Sequence, residues 1–321
     1  MIIKPRMYPL YIKKLEALQR RLLLEHPKFE LIKEDCGKRI AGYRGEQSLD
    51  YHLGFLAEHQ YHILHDVRIY DGTHFFQLDT VILSKKFILI LEVKNITGTL
   101  YFDSDFNQLI RIQDEKKESF PDPILQVERQ NYQLRKWLRL IKHSNLPVQS
   151  LVVIGSPRTI LETTPQNEKI YKKVIHSAKL PFAILSIEQD YKKNYLSEKQ
   201  LFQLSQQMVT NHTPLNIDIL AQYKIPKGDI LKAVICSYCQ SLPMKRSKGK
   251  WICSKCSFIS KDAHLSALED YSLLIDSTIT NQKMREFLNI QSTSVANKLL
   301  FSLKLESSGT KRGKIYHLNV T

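Results

Sequence analysis

The chain contains no uninterrupted apolar run of membrane-spanning length, so the sequence predicts no transmembrane helix. Its first residues, Met1-Ile2-Ile3-Lys4-Pro5-Arg6, lack the apolar core of a secretory signal, and the expected compartment is the cytoplasm. Cysteine is scarce and odd in number, five in 321 residues. Four of the five fall in two C-x-x-C pairs and Cys36 stands alone. That pattern fits metal binding in a reducing compartment and excludes a disulfide framework. Cys36 takes the default reading of a buried structural thiol. Acidic residues are also short: 32 Asp and Glu against 47 Lys and Arg leave a net charge of +15. Such an excess favours a polyanionic partner, nucleic acid before membrane, although a basic surface also serves simple solvation. The remaining composition, 43% hydrophobic and 25% charged, is that of a soluble globular protein with room for two domains or one domain and small modules.

The stretch Phe87-Ile88-Leu89-Ile90-Leu91-Glu92-Val93-Lys94-Asn95 organises the chain. Nearly all apolar, it predicts a strand covered on both faces. Glu92 and Lys94, two residues apart, then share one face. A salt-bridged strand end explains them without chemistry; a catalytic pair is the other reading. The preceding strand, Gln77-Leu78-Asp79-Thr80-Val81-Ile82-Leu83, carries one aspartate and is joined by the short turn Ser84-Lys85-Lys86. Paired as a hairpin, the two strands bring Asp79 near Glu92.

Elsewhere, residues 8–26 carry leucines at helical spacing and form a packing or nucleic-acid-facing arm ending at Pro27. A second helix is expected from Gly42 to about His59, with Leu49, Leu53 and Leu56 as its stripe and Glu46 on the inward face. A carboxylate at a helix N-terminus is also commonplace. Strands follow at 61–70, at 99–102 and at Leu151-Val152-Val153-Ile154, with a last strand expected at Phe182-Ala183-Ile184-Leu185-Ser186-Ile187. Residues 103–122 form a loop or hairpin, and helices run from Ile124 to Lys142 and from Leu196 to about Val209. This order predicts a mixed α/β domain.

Arg44-Gly45-Glu46, Gln77-Leu78-Asp79, Glu92-Val93-Lys94-Asn95 with Gly98, and Asp122-Pro123-Ile124-Leu125-Gln126 together resemble the NERD (nuclease-related) domain of the PD-(D/E)xK nuclease superfamily, over roughly residues 40–190. The resemblance implies a restriction-endonuclease-like mixed sheet flanked by helices. It also implies that Asp79 and Glu92 are ligands of Mg²⁺ or Mn²⁺, that Lys94 is the catalytic lysine, and that Glu46 is a further ligand or supports one. Gln126 would orient the substrate phosphate or a ligand. Related nucleases often carry a tyrosine one turn after this glutamine; here the position is Gln130, with Tyr132 nearby, and the tyrosine's role is not carried over. The chemistry is coherent: hard carboxylate oxygens bind such cations while leaving room for water and phosphate, and a lysine can neutralise developing charge.

Cys236-Ser237-Tyr238-Cys239 and Cys253-Ser254-Lys255-Cys256 are two C-x-x-C knuckles at zinc-ribbon spacing, predicting one structural Zn²⁺ held by four thiolates. A redox pair is the alternative. The intervening loop is basic, with Lys245, Arg246, Lys248 and Lys250, and serves either as scaffold or as a nucleic-acid contact.

Residues 265–321 read as three helices and a hairpin, which resembles a winged helix-turn-helix. The helices are Leu265–Ser277, Asn281–Leu288 and Ser292–Ser302; the wing strands are Leu303–Glu306 and Lys314–Leu318. The third helix would present Ser292, Thr293, Asn297 and Lys298 to a groove, and Lys311, Arg312 and Lys314 would contact phosphates. A protein-interaction module is the competing reading.

The expected organisation is therefore an N-terminal helical arm (1–36), a nuclease-like domain (37–210), a linker with little core of its own (211–234), a zinc ribbon (235–260) and a winged helix (261–321). The expected function is metal-dependent hydrolysis of DNA phosphodiester bonds. The alternatives are a non-catalytic DNA-binding adaptor and an RNA-directed nuclease.

Overall fold

The computed structural model describes residues 1–165, 167–310 and 313–318. These group into two compact units: Met1–Pro9 with Lys38–Leu215, and Leu10–Gly37 with the residues from Asn216 onward. Of the first helices, α1 (Leu10–Arg21) lies in the second unit, and α2 (Phe29–Leu53) crosses the division between the units. The expected helix at 42–59 is the later part of α2, which begins well before it and passes through Gly37, Gly42 and Gly45.

In the first unit, β1 (Ile2–Lys4), β2 (His62–Tyr70), β3 (Phe75–Leu83) and β4 (Ile88–Lys94) share one sheet with later strands. A second sheet forms from β5 (Thr99–Asp103), β6 (Gln108–Gln113) and β7 (Lys116–Pro121), which turn back on one another through residues 103–122. Helix α3 (Pro123–Leu140) follows, then β8 (Val148–Ile154), β9 (Ile160–Thr163), α4 (Glu168–Lys173), β10 (Val174–His176), α5 (Leu180–Asp190) and α6 (Glu198–Thr210). The main sheet runs β1-β2-β3-β4-β8-β10 and the second β7-β6-β5-β9. Pairing is antiparallel across β2, β3 and β4 and parallel from β4 to β8 and β10, so the sheet is mixed.

The unbroken apolar run of β4 now has its cause. Ile88 and Ile90 pack on one face with Leu134, Trp137 and Leu138 of α3 and Leu201 and Leu204 of α6. Leu89 and Leu91 pack on the other with Leu49 and Leu53 of α2 and Leu180 and Ile184 of α5. Both faces are dry, so alternation disappears.

The strand expected at 182–187 is helical. It lies within α5, with Pro181 in its first turn, and buries Leu180 and Ile184 while Phe182 and Leu185 stay exposed. A short apolar run cannot be assigned to strand or helix by periodicity, and the sheet's last strand is instead Val174–His176.

The expected linker, 211–234, is divided between the units at Leu215, and its part in the second unit is more than a connector: α7 (Ile219–Tyr223) is capped by Asp218, and Ile219, Leu220, Tyr223, Ile225, Ile230 and Val234 are buried. The ribbon follows as an antiparallel sheet of β11 (Met244–Ser247), β12 (Lys250–Cys253) and β13 (Ile259–Ser260). The last part holds α8 (His264–Leu274), β14 (Thr278–Thr280), α9 (Asn281–Leu288), α10 (Thr293–Ser302), β15 (Ser307–Ser308) and β16 (Ile315–His317). Its sheet order is β14-β16-β15, the arrangement of a winged helix. The first wing strand begins at Ser307, later than the expected Leu303, and β14 is a strand the helical pattern concealed. Among the described residues, no helix is long and apolar enough to cross a membrane.

Candidate functional site

Strands β3 and β4 pair as the expected hairpin, in the register Leu83–Ile88, Ile82–Leu89, Val81–Ile90 and Thr80–Leu91. The tight connection is held by Ser84, whose hydroxyl accepts from the amides of Lys86 and Phe87 at 3.1 and 3.0 Å. Next to this last pair come Asp79 on β3 and Glu92 on β4, on neighbouring strands. The carboxylate of Asp79 accepts from the amide of Val93 at 3.0 Å and fixes the Asp79 side chain at the end of β4. On the other side, Glu92 and Lys94 lie beside Val152 and Ile154 of β8.

Glu92 is buried and held from two directions. Lys94 Nζ donates to Glu92 Oε1 at 2.8 Å and to Gln126 Oε1 at 2.9 Å. Gln130 Nε2 donates to Glu92 Oε2 at 2.8 Å and to the carbonyl of Gln77 at 3.1 Å. Both acceptors fix the orientation of that amide, which leaves Gln130 Oε1 buried without a partner. Gln126 and Gln130 sit one turn apart on α3, so one helix face serves both ends of the Glu92–Lys94 pair. The helix is started by Asp122, whose side chain accepts from the amide of Ile124 at 2.7 Å, with Pro123 at the first position. Gln130 was legible only as the place where related nucleases often have tyrosine; nothing local marks it as the residue that holds Glu92. Tyr132 is exposed and has no part in this cluster.

Glu46 comes from α2, which passes very close to the end of β4. A Cβ on Gly45 would lie 2.2 Å from Asn95 Cβ, so only glycine fits there. Asn95 in turn donates to the carbonyl of Ala41 at 2.8 Å. Arg6 then fastens Glu46: its Nη1 donates to Glu46 Oε2 at 2.6 Å, and its Nη2 donates to His65 Nδ1 at 2.9 Å and Thr80 Oγ1 at 3.2 Å. Arginine can only donate, so His65 accepts through Nδ1 as a neutral ring. Burial first, then the charges of Arg6 and Lys4, push its pKa down to about 3. Arg6 was not anticipated, because nothing in Met1–Arg6 reads as a site motif. It arrives because β1 joins the sheet parallel to β2.

Electrostatics mark this cluster as short of positive charge. Burial raises Glu46 to about 7, against the pull of Arg6 and with the push of Asp66 and Glu92. Burial also raises Asp79 well above the carboxylate range, helped by Glu92 and Glu46 and opposed by the Val93 amide and Lys94. Carboxylates that raise one another compete for protons or for a cation. Asp66, in the left-handed region at φ 50°, is a further carboxylate felt by Glu46 that the sequence did not single out. The oxygen-only donor set of Glu46, Asp79 and Glu92 is of the kind Mg²⁺ and Mn²⁺ take.

In the second unit, Cys236, Cys239, Cys253 and Cys256 offer sulfur atoms that all lie within 4.8 Å of one another. The Cys236–Cys256 and Cys239–Cys253 sulfur separations are 3.7 and 3.6 Å. A tetrahedron with Zn–S bonds of about 2.3 Å has edges of about 3.8 Å, so the four thiols fit one such ion. The Ser241 hydroxyl, and after it the Cys256 amide, hold the Cys253 thiol low, at about 6, whereas Cys256, against the pull of the Phe258 amide, is pushed up to about 12 by burial and the neighbouring thiols.

The predicted nucleic-acid contacts divide by exposure. Lys245, Lys248 and Lys250 are exposed on the ribbon, whereas Arg246 is half-buried with its guanidinium 5.2 Å from the centre of the Trp251 ring. Ser292 caps α10 by accepting from the Val295 amide at 3.3 Å, and Thr293, Asn297 and Lys298 are exposed along that helix. Thr293, Asn297 and Lys314 line one open groove of about 760 Å³ with Arg285, Gln282 and Tyr316. Lys311 and Arg312 lie outside the described residues.

A search of curated proteins and one of solved structures find no match to the chain. A family model does match, over the stretch that holds Gly45, Glu46, the β3–β4 hairpin, Gln126 and β8. Residues 41–155 carry a NERD, nuclease-related domain.

Proposed function

We propose that this protein is a cytoplasmic, Mg²⁺- or Mn²⁺-dependent nuclease that hydrolyses phosphodiester bonds of DNA. In this reading the ribbon, carrying Zn²⁺ as a structural ion, and the winged helix hold the polymer. The observation that carries the reading is the mutual electrostatic coupling of Asp79, Glu92 and Glu46, each buried or half-buried, with a lysine bonded to Glu92 in a nuclease-related domain. Asp79 and Glu92 would hold the cation, with Glu46 as third ligand or as support. When bound, the cation supplies a water of lowered pKa and stabilises charge on the phosphate. Lys94, held between Glu92 and Gln126, directs its ammonium at the scissile phosphate. Gln126 accepts from Lys94 through its oxygen, which leaves its NH₂ to donate to the phosphate. Gln130 keeps Glu92 from turning away. Tyr316, Arg285 and Asn297 line a groove that takes backbone and base edges of the same polymer.

The test is cleavage of labelled linear, circular and single-stranded DNA with Mg²⁺ or Mn²⁺, beside Asp79→Ala and Lys94→Ala. Each substitution should lower the rate about a hundredfold or more, with zinc content and melting temperature unchanged. A parent that cuts RNA and leaves every DNA intact redirects the activity to RNA. The second reading, a non-catalytic DNA-binding adaptor, draws on Arg6, which engages Glu46 in an ion pair that a cation has to displace. Tight DNA binding with no cutting of DNA or RNA is its expected signature.

A further inference from the structure

The ribbon carries two aromatic rings that its own core does not use. Trp251 fills the ribbon interior and is buried, whereas Tyr238 is 76% exposed and Phe258 36% exposed. The two rings lie nearly parallel, 15° apart in plane with centroids at 5.9 Å, and each comes from a different knuckle. Tyr238 sits between Cys236 and Cys239; Phe258 follows Cys256 by two residues. Both are presented from fixed backbone. The amide of Gln240 donates to the carbonyl of Cys236 at 2.9 Å, that of Ser257 to Cys253 at 3.0 Å, and that of Cys253 to Phe258 at 2.9 Å. Each knuckle also holds a residue in the left-handed region, Gln240 at φ 57° and Ser257 at φ 60°. Two exposed rings on fixed turns form a ledge with little side-chain entropy left to lose on binding.

Charge narrows what the ledge suits. Residues 235–260 contain five Lys and Arg and no Asp or Glu. Four thiolates around a dication leave this segment positive, and Lys255 stands exposed between the two rings in sequence. A planar, apolar-faced partner attached to an anion fits both features, and a base with its phosphate is such a partner. Bases inside a duplex hide their faces against one another, so only an unpaired base can use the ledge.

We propose that Tyr238 and Phe258 form a stacking site for an unpaired nucleobase, by which the ribbon favours single-stranded segments or frayed ends. This rests on the reading of the chain as a nucleic-acid-directed protein and names the substrate class within it. Near-parallel ring faces distinguish the site from a lipid-inserting tip, which has no use for aligned faces.

The test uses the full chain without added Mg²⁺ or Mn²⁺, so that binding is read with no cleavage. Anisotropy is measured on a labelled single-stranded oligonucleotide and on the matched blunt duplex. Tyr238→Ala, and Tyr238→Ala combined with Phe258→Ala, should weaken single-strand binding about tenfold or more and shift duplex binding by about twofold or less. Tyr238→Trp should restore or tighten it, whereas Tyr238→Leu, apolar without a π face, should stay weak. Zinc stoichiometry and thermal melts identify variants that fail to fold. Equal losses on both polymers, no loss, or a Leu variant as good as the parent overturns the stacking site. Failure to cut either DNA or RNA in the cleavage assay overturns the nuclease reading alone; binding to neither polymer overturns the stacking site with its premise.

Discussion

At the scale of single residues, Glu46 is where two demands meet. As a carboxylate it pairs with Arg6, yet burial and the neighbouring acids raise its pKa to about 7. A folded-state pKa above the unfolded value means that the stabilising proton is present below about pH 4.5 and is lost as pH rises through 7. Without added Mg²⁺ or Mn²⁺, the parent should therefore lose stability over that interval, and Asp79 pushes in the same direction. Glu46→Gln keeps an acceptor for Arg6 and removes the titration. Its stability relative to the parent should grow by on the order of 1–3 kcal/mol between pH 4.5 and 7.5, read from thermal melts. A parent whose advantage grows with pH instead would show that the charged Arg6–Glu46 pair outweighs its desolvation. Asp79, Glu92 and Lys94 were legible because strand spacing fixes which side chains share a face. Arg6, Asp66 and Gln130 were not, because each reaches the cluster through tertiary pairing that has no local signature.

At the scale of elements, the site depends on how closely α2 crosses the end of β4. Gly45 and Asn95 make that crossing, and Gly155, just past the end of the neighbouring strand β8, continues it: a Cβ there would meet Ser48 Oγ at 3.3 Å and the carbonyl of Gly45 at 3.4 Å. Gly45→Ala should help an isolated helix and harm this one. Helix propensity gains roughly 1 kcal/mol, while overpacking against a Cβ only 2.2 Å away costs about 1–3 kcal/mol and moves Glu46 with the helix. The expected outcome is a modest fall in melting temperature with a large loss of cleavage, and Asn95→Gly in the same chain, which removes the clashing Cβ, should recover part of both. The hairpin, α3 and the ribbon knuckles could be located beforehand because each has punctuation of its own: a tight turn, an Asp-Pro start, paired cysteines. Helix α5 could not, since Phe182–Ile187 is apolar on every side, and only burial of Leu180 and Ile184 with exposure of Phe182 and Leu185 reveals its helical period. The early start of α2 was hidden by its glycines.

At the scale of the whole molecule, the N-terminal helix is not a free arm. Arg21 on α1 is fully buried and donates through Nε to Asp270 Oδ2 at 2.8 Å and through Nη1 to the carbonyl of Ala233 at 2.6 Å. Arg20 reaches Asp270 Oδ1 at 2.7 Å. Removing residues 235–321 to test the tail as a grip therefore also strands a buried guanidinium, and loss of binding by that truncation has two causes. Asp270→Asn isolates the second: it should cost on the order of 3–5 kcal/mol, seen as a lower melting temperature and faster proteolysis within residues 10–37, with the zinc content retained.

The same pairing has a consequence for how the protein is made. Arg21 and Asp270 are 249 residues apart in sequence. At about 5–20 residues per second, a ribosome delivers the aspartate roughly 12 to 50 seconds after the arginine. Throughout that interval the amphipathic α1 has been made without its partner helix, and its apolar face has no α8 to pack on. The buried Arg21–Asp270 pair of the second unit cannot form until residue 270 has been made.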